Sequence, residues 1–179
     1  MSTTPAQRRP LDIRRSLQKA IQDRVETPNT TPLGAGYASG WVDYGDPEFD
    51  NSALTRWARM DMVDDGGGTY SEGSFQVTCF TLQSTDRLGV YCLAMVNLFL
   101  EGMRRSAGRV QCYDWTTPTI PVEVAGKSVL ITTGAKHGEP ESVAPAVGPD
   151  GVHAKAISWA FKILPDDYVG DRFRQAGAS

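Results

Sequence analysis

Between Arg56 and Arg105 the hydrophobic period of the chain switches from that of a strand to that of a helix, and this switch constrains the fold more than any other stretch. Thr55–Val63 alternates, with Trp57, Arg59, Asp61 and Val63 on one face and Ala58, Met60 and Met62 on the other. Gly73–Leu82 does the same: Phe75, Val77, Cys79 and Thr81 face one way, and Ser74, Gln76, Thr78, Phe80 and Leu82 the other. The segment between them, Asp64-Asp65-Gly66-Gly67-Gly68-Thr69, supplies glycines that tolerate positive φ, so an antiparallel hairpin is expected. After Gln83-Ser84-Thr85-Asp86, the run Leu88–Met103 is apolar on nearly every side. Such a helix is buried on more than one side, here by the sheet and by either another helix or a neighbouring subunit.

The remaining elements are arranged around that unit. Met1–Pro10 is polar and basic and reads as a mobile arm, with Pro10 suited to a first helical turn. Leu11, Ile13, Leu17, Ile21 and Val25 recur at helical spacing until Thr27-Pro28 stops them. Leu33–Asp50 is rich in glycine and aromatics and is expected to hold a short strand at Tyr37–Val42 in a longer loop. Beyond the long helix, strands are expected at Arg109–Asp114, Ile120–Val124 and Ser128–Thr133, the last two joined by a turn at Ala125-Gly126. Residues 134–151 carry almost no large apolar side chain and read as a flexible loop. Val152–Leu164 alternates strongly, with Ile157, Trp159, Phe161 and Ile163 on one face, and 166–179 forms a polar tail. The fold expected is α+β: one domain over 11–165 with a mixed, mainly antiparallel sheet and two main helices packed on it.

At 179 residues, with 40% apolar and 22% charged residues, the chain suits one soluble globular domain. A net charge of -3 argues against a protein devoted to bare nucleic acid. Cys79, Cys92 and Cys112 form no C-x-x-C pair, which points to reduced thiols in a cytosolic setting. The first residues lack the apolar core of a signal peptide, and Leu88–Met103 is too short to span a bilayer. Asp61, Asp64 and Asp65 are the one dense carboxylate group; they would serve a metal-dependent hydrolase, but turn chemistry explains them without a site. His137 and His153 have no orienting partner or nucleophile at useful spacing. No metal, cofactor or catalytic residue is expected. Arg14-Arg15 and Arg104-Arg105 are basic pairs at helix ends; Arg104 and Arg105 complement a helix C-terminal dipole, and the alternative is a surface facing passing DNA.

The order of parts carries a resemblance. A basic amphipathic helix precedes Arg56-Trp57-Ala58-Arg59; then come Tyr70-Ser71-Glu72-Gly73-Ser74-Phe75-Gln76-Val77-Thr78-Cys79-Phe80 and the polar step Ser84-Thr85-Asp86-Arg87-Leu88-Gly89 into the long helix. Over Leu11–Leu164 the chain resembles the tail terminator proteins of long-tailed bacteriophages, the lambda-like minor tail and tail-completion family. The resemblance implies a non-enzymatic virion protein, assembled in the host cytoplasm and placed at the head–tail junction. It would form a sixfold ring that caps the tail tube, stops tube polymerisation and docks the head connector or stopper protein, with DNA passing through its lumen. A head-completion or tail-tube subunit is the neighbouring alternative. A closed ring needs two different contact patches per subunit. The candidate contact residues are Tyr37, Trp41, Tyr44, Phe49, Asp64, Asp65, Tyr70, Tyr91, Met95 and Phe99, and the candidate lumen residues are Arg14, Arg15, Arg104 and Arg105.

Overall fold

The computed structural model describes residues 5–28, 40–64, 72–114, 122–132 and 140–163. Its elements, in chain order, are α1 (Pro5–Ile21), continued by a π-helical turn (Gln22–Glu26), β1 (Val42–Asp43), β2 (Arg56–Asp64), β3 (Glu72–Leu82), α2 (Val90–Arg104), a 3-10 turn (Arg105–Gly108), β4 (Arg109–Asp114), β5 (Val122–Thr132), β6 (Ser142–Pro145) and β7 (Val152–Ile163). The α+β class holds: two helices and a seven-stranded, mostly antiparallel sheet.

The hairpin that organises the sequence also organises the sheet. β2 and β3 pair antiparallel with Ala58 opposite Cys79, Met60 opposite Val77 and Met62 opposite Phe75. These paired side chains belong to the faces that the alternation assigned to one side, and Ala58, Met60, Phe75, Val77 and Cys79 are all buried. Val63 is left out of register between Met62 and Asp64, a one-residue bulge on the exposed side of the strand. On the opposite face Trp57 stacks on Phe80 at 5.2 Å.

β3 pairs along its whole length with β7, the strand farthest from it in sequence: Glu72 lies opposite Lys162 and Leu82 opposite Val152. This register places Phe75 against Trp159, and their rings stack 5.1 Å apart. The strand order is β1-β2-β3-β7-β5-β4, with β6 paired to β7 beside the stretch that β5 leaves free. Only β1–β2 is parallel among these pairings.

The sheet curls. Laid flat, six strands would set β1 and β4 about 24 Å apart, at roughly 4.8 Å per step. Yet one helix reaches both ends from positions two residues apart. Arg14 Nη2 donates to the Tyr44 carbonyl just beyond β1 at 2.7 Å, and Ser16 Oγ accepts the Tyr113 N–H of β4 at 3.0 Å. α1 therefore closes the opening between the sheet's edges and covers the β4 edge from solvent. Its inward stripe is Ile13, Leu17, Ala20, Ile21 and Val25, all buried. The π turn, closed by Thr27 N–H to Gln22 O at 2.8 Å, shifts the helical phase enough to keep both Val25 and Glu26 inside.

Several boundaries differ from the sequence expectation. Helix α1 starts at Pro5, so 5–10 is helical rather than an arm and Pro5, not Pro10, opens the helix. The strand expected at Tyr37–Val42 is only Val42–Asp43, with Tyr37 outside the described residues. The two strands around Ala125-Gly126 are one strand, β5; the glycine region forms an irregularity where β4 pairing jumps from Gln111–Ser128 to Tyr113–Glu123. Within the stretch read as a flexible loop, Ser142–Pro145 forms β6. Its strand bonds come from β7, not from an apolar pattern of its own, and all four of its residues are exposed.

The helical segments meet tightly at Gly102. A Cβ there would overlap Cγ2 of Val25, which is fully buried in the π turn and has no room to withdraw. Gly102→Ala should therefore lower stability by about 1–2 kcal/mol, because overpacking outweighs the roughly 1 kcal/mol gain in helix propensity. Adding Val25→Ala should recover part of that loss, which chemical denaturation of the single and double variants would measure.

Candidate functional site

Two surfaces stand out from the fold, at opposite ends of α2. The first is its N-terminal turn. Gly89 adopts φ +69° and ends the step from β3 into the helix. Asp86, only 3% exposed, lies beneath it. Its Oδ2 accepts Thr81 Oγ1 at 2.8 Å and the Cys92 N–H at 3.0 Å, and its carboxylate also draws on the N–H groups of Tyr91 and Val90. Burial pushes the Asp86 carboxyl up, but these hydrogen bonds together outweigh it, and the net displacement is downward. Asp86 thus satisfies the first N–H groups of α2 from three residues before the usual capping position.

That cap fixes the rotation of α2. Cys92, Met95, Val96, Phe99, Gly102 and Met103 turn inward, and Cys92 Sγ donates to the Cys79 carbonyl at 3.5 Å. Burial raises both thiols above the ordinary cysteine range, which leaves them as unreactive core groups. The inward stripe leaves an outward one. Leu88 is 85% exposed, Val90 57%, Leu93 46% and Tyr91 37%. One face of Tyr91 is occupied by the Arg56 guanidinium, 3.7 Å from the ring centroid. Four apolar side chains within six residues are thus partly or largely exposed at one end of α2.

The second surface is the corner where α2 meets β4. Arg24 reaches across from the π turn and donates to the Arg109 carbonyl at 2.7 Å and the Arg105 carbonyl at 3.4 Å. Burial, then the charge of Arg105, lowers the Arg24 pKa. Ser106 and Ala107 between them sit in the left-handed region, at φ +56° and +52°. Two consecutive non-glycine residues there cost roughly 1–2 kcal/mol each, so this corner is held in a strained form. Beside it lies a shallow hollow of about 60 Å³ lined by Ser16, Lys19, Asp23, Arg24, Gln111 and Tyr113 among others. Lys19 there pairs with Asp23 at 3.0 Å and lies over the Tyr113 ring.

The residues singled out from sequence are dispersed over the structure. Trp41 is a core residue, not an exposed contact: its carbonyl accepts the Ala58 N–H, which docks β1 on β2 and turns the indole edge-on to Phe99 at 5.7 Å. Met95 and Phe99 are likewise core positions. Tyr44 is half-buried, and its hydroxyl donates to Glu26 Oε2 at 2.9 Å. Burial, then the charge and hydrogen bond of Glu26, pushes its pKa up beyond any working range. Phe49 is half-buried in an acidic loop. Tyr91 alone of these aromatics borders the apolar patch.

Arg14 is committed to the Tyr44 carbonyl, Arg15 is half-buried, and Arg104 and Arg105 are exposed. Asp64 ends β2, while Tyr37, Asp65 and Tyr70 lie outside the described residues. Asp61 Oδ1 accepts Arg59 Nε at 2.9 Å. Among the described residues no three His, Cys, Asp or Glu side chains converge as metal ligands. Nor is any helix among them long and apolar enough to cross a membrane. Sequence reading missed Leu88, Val90 and Leu93 as an outward stripe, and Arg24 as the donor to the carbonyls of Arg105 and Arg109. The first was open to a helical projection once Cys92, Met95, Val96 and Phe99 were taken as the inward arc; the second needed the fold.

A solved structure superposes on this chain with a TM-score of 0.50 at 16% sequence identity, covering 84% of this chain and 95% of its own. At that identity the likeness concerns the fold alone. No family model matches the chain, and no curated protein matches it in sequence.

Proposed function

We propose that the protein is a structural subunit of a phage tail terminator ring, capping the tail tube at its head-proximal end and presenting a docking surface to the head connector. The observation that carries this reading is the outward apolar patch Leu88–Leu93, which a subunit contact would cover. The α+β fold agrees with the architecture that the sequence resemblance implies. The organisation of the site also suits a scaffold: the buried polar side chains Asp86, Ser16 and Glu26 hold elements together. In this reading the patch is one side of a heterologous subunit contact, which closes a ring when repeated. Partners are a further copy of the chain, the tail tube protein and the connector, with DNA threading the lumen.

Negative-stain microscopy and sedimentation of the purified protein test this. Discrete rings are expected, and Leu93→Asp with Val90→Asp should convert them to folded monomers with unchanged circular dichroism. Open tubes would favour a tail-tube subunit instead. A protein that stays monomeric at high concentration and does not bind tail tubes would sink the proposal.

A further inference from the structure

The link from α2 to β4 runs against its own sequence. Arg104-Arg105-Ser106-Ala107-Gly108 would carry a right-handed helix to Ala107 and stop it at Gly108, since alanine is the best helix former and glycine the usual residue just past a helix end. That continuation would let the N–H groups of Ser106, Ala107 and Gly108 meet the carbonyls of Gly102, Met103 and Arg104. Instead α2 stops at Arg104, and Arg105 leaves it at φ -57°, ψ 146°. Ser106, Ala107 and Gly108 are then all left-handed, at φ +56°, +52° and +71°. Gly108 takes that conformation freely; Ser106 and Ala107 do not. Left-handed residues normally occur singly, and a run with two side chains in it persists only where the surroundings over-determine it.

Two contacts do so here. Arg109 pairs with Leu130 at the start of β4, and Arg24 donates to the carbonyls of Arg105 and Arg109, which flank the left-handed run. Arg24 stands in the π turn that follows α1, itself a rare form of helix. Its Cβ and carbonyl pack over Gly102 of α2, where no side chain intervenes. One side chain thus joins the irregular end of the first helix to the irregular end of the second. We infer that Arg105–Gly108 is a two-state switch, held left-handed by Arg24 while α1 is seated and winding into a further turn of α2 when Arg24 lets go. The released state gives up the two arginine hydrogen bonds and the Arg109–Leu130 pair. In return it gains three helical hydrogen bonds and relieves Ser106 and Ala107. A contact that shifts α1 therefore changes the length of α2, and a contact on the end of α2 acts back on α1. The inference stands apart from the ring reading, since it concerns one subunit.

NMR of the isotope-labelled full chain tests it. In the unmodified protein the backbone couplings of Ser106 and Ala107 should be left-handed. Arg24→Gln should bring both residues into α2, with Hα to amide-proton contacts from Met103 to Ser106 and from Arg104 to Ala107. Amide exchange at Arg109 and Leu130 should then quicken about tenfold, the change expected for the loss of one net hydrogen bond, while the β2–β3 hairpin stays as it was. Ser106→Gly with Ala107→Gly should do the reverse, because glycine relieves the strain and weakens the competing helix. Its melting temperature should rise by about 2–4 °C, and Arg24→Gln added to it should no longer lengthen α2. A glycine pair that lowers the melting temperature overturns the inference, since the left-handed run is then not strained; this arm decides even where Arg24→Gln does not fold. The inference fails too if Arg24→Gln leaves Ser106 and Ala107 left-handed. It fails as well if they fray without joining the helix, since Arg24 is then a plain tether. None of these outcomes bears on whether rings form.

Discussion

Trp159→Ala is expected to cost about 3–5 kcal/mol, the range for emptying an aromatic site in a closed core. Trp159 is fully buried at the middle of β7, stacked on Phe75 and adjacent to Phe161, which itself lies 6.4 Å from Phe75. The strand that carries it is bonded to β3 on one side and to β5 and β6 on the other. A cavity there is lined by rigid sheet backbone and cannot collapse. Trp159→Phe provides the contrast. The indole Nε1 is buried without a hydrogen-bond partner in the described structure, so its loss removes a desolvated donor and no bond. The phenylalanine variant should retain most of the stability and lose less than about 1.5 kcal/mol. Denaturant titration of the two variants checks both statements, and equal losses would mean that ring area is not what holds this site together.

Asp86→Ala should cost about 2–3 kcal/mol, since it removes charge-assisted hydrogen bonds and leaves buried N–H groups of α2 unmet. Asp86→Asn keeps an acceptor and should lose about half as much. The pH dependence follows from the sign of the displacement. The folded carboxyl titrates below its unfolded value, because hydrogen bonds from Thr81, Cys92, Tyr91 and Val90 outweigh burial. Its stabilisation is therefore fully present above the unfolded pKa of about 3.9 and is lost as pH falls through the lower folded value. Thermal melts from pH 7 to pH 3 should show the unmodified protein converging on Asp86→Asn at the acid end. A constant gap between them across that range would mean that the charge at Asp86 plays no part.

Both residues stood in plain view in the sequence, but to different degrees. Trp159 belongs to an alternating run whose inward face could be read directly, because side chains in a strand alternate regardless of neighbours. Asp86 read only as part of a polar step. Its role depends on Thr81 and on the first turn of α2 arriving beside it, and no local pattern contains that meeting. The aromatics of 37–49 show the same limit in the opposite direction. Rings in a glycine-rich loop could equally meet a partner or pack on the chain's own core, and for Trp41 the parallel pairing of β1 with β2 decides for the core.

By itself the sequence determined the elements: the period-two faces of β2, β3 and β7, the inward stripe of α1, and the apolar character of α2 are local consequences of side-chain order. Tertiary structure decided which of these face water. α2 is apolar nearly all round, but one sheet covers one arc of a cylinder, and Asp86 sets which arc it is. Leu88, Val90 and Leu93 are outside for that reason. The contact of Arg24 with the Arg109 carbonyl has the same origin, since the two residues are 85 apart in sequence and meet only because α1 closes the curled sheet. Periodicity is a property of neighbours in sequence; exposure and charge crowding are properties of neighbours in space.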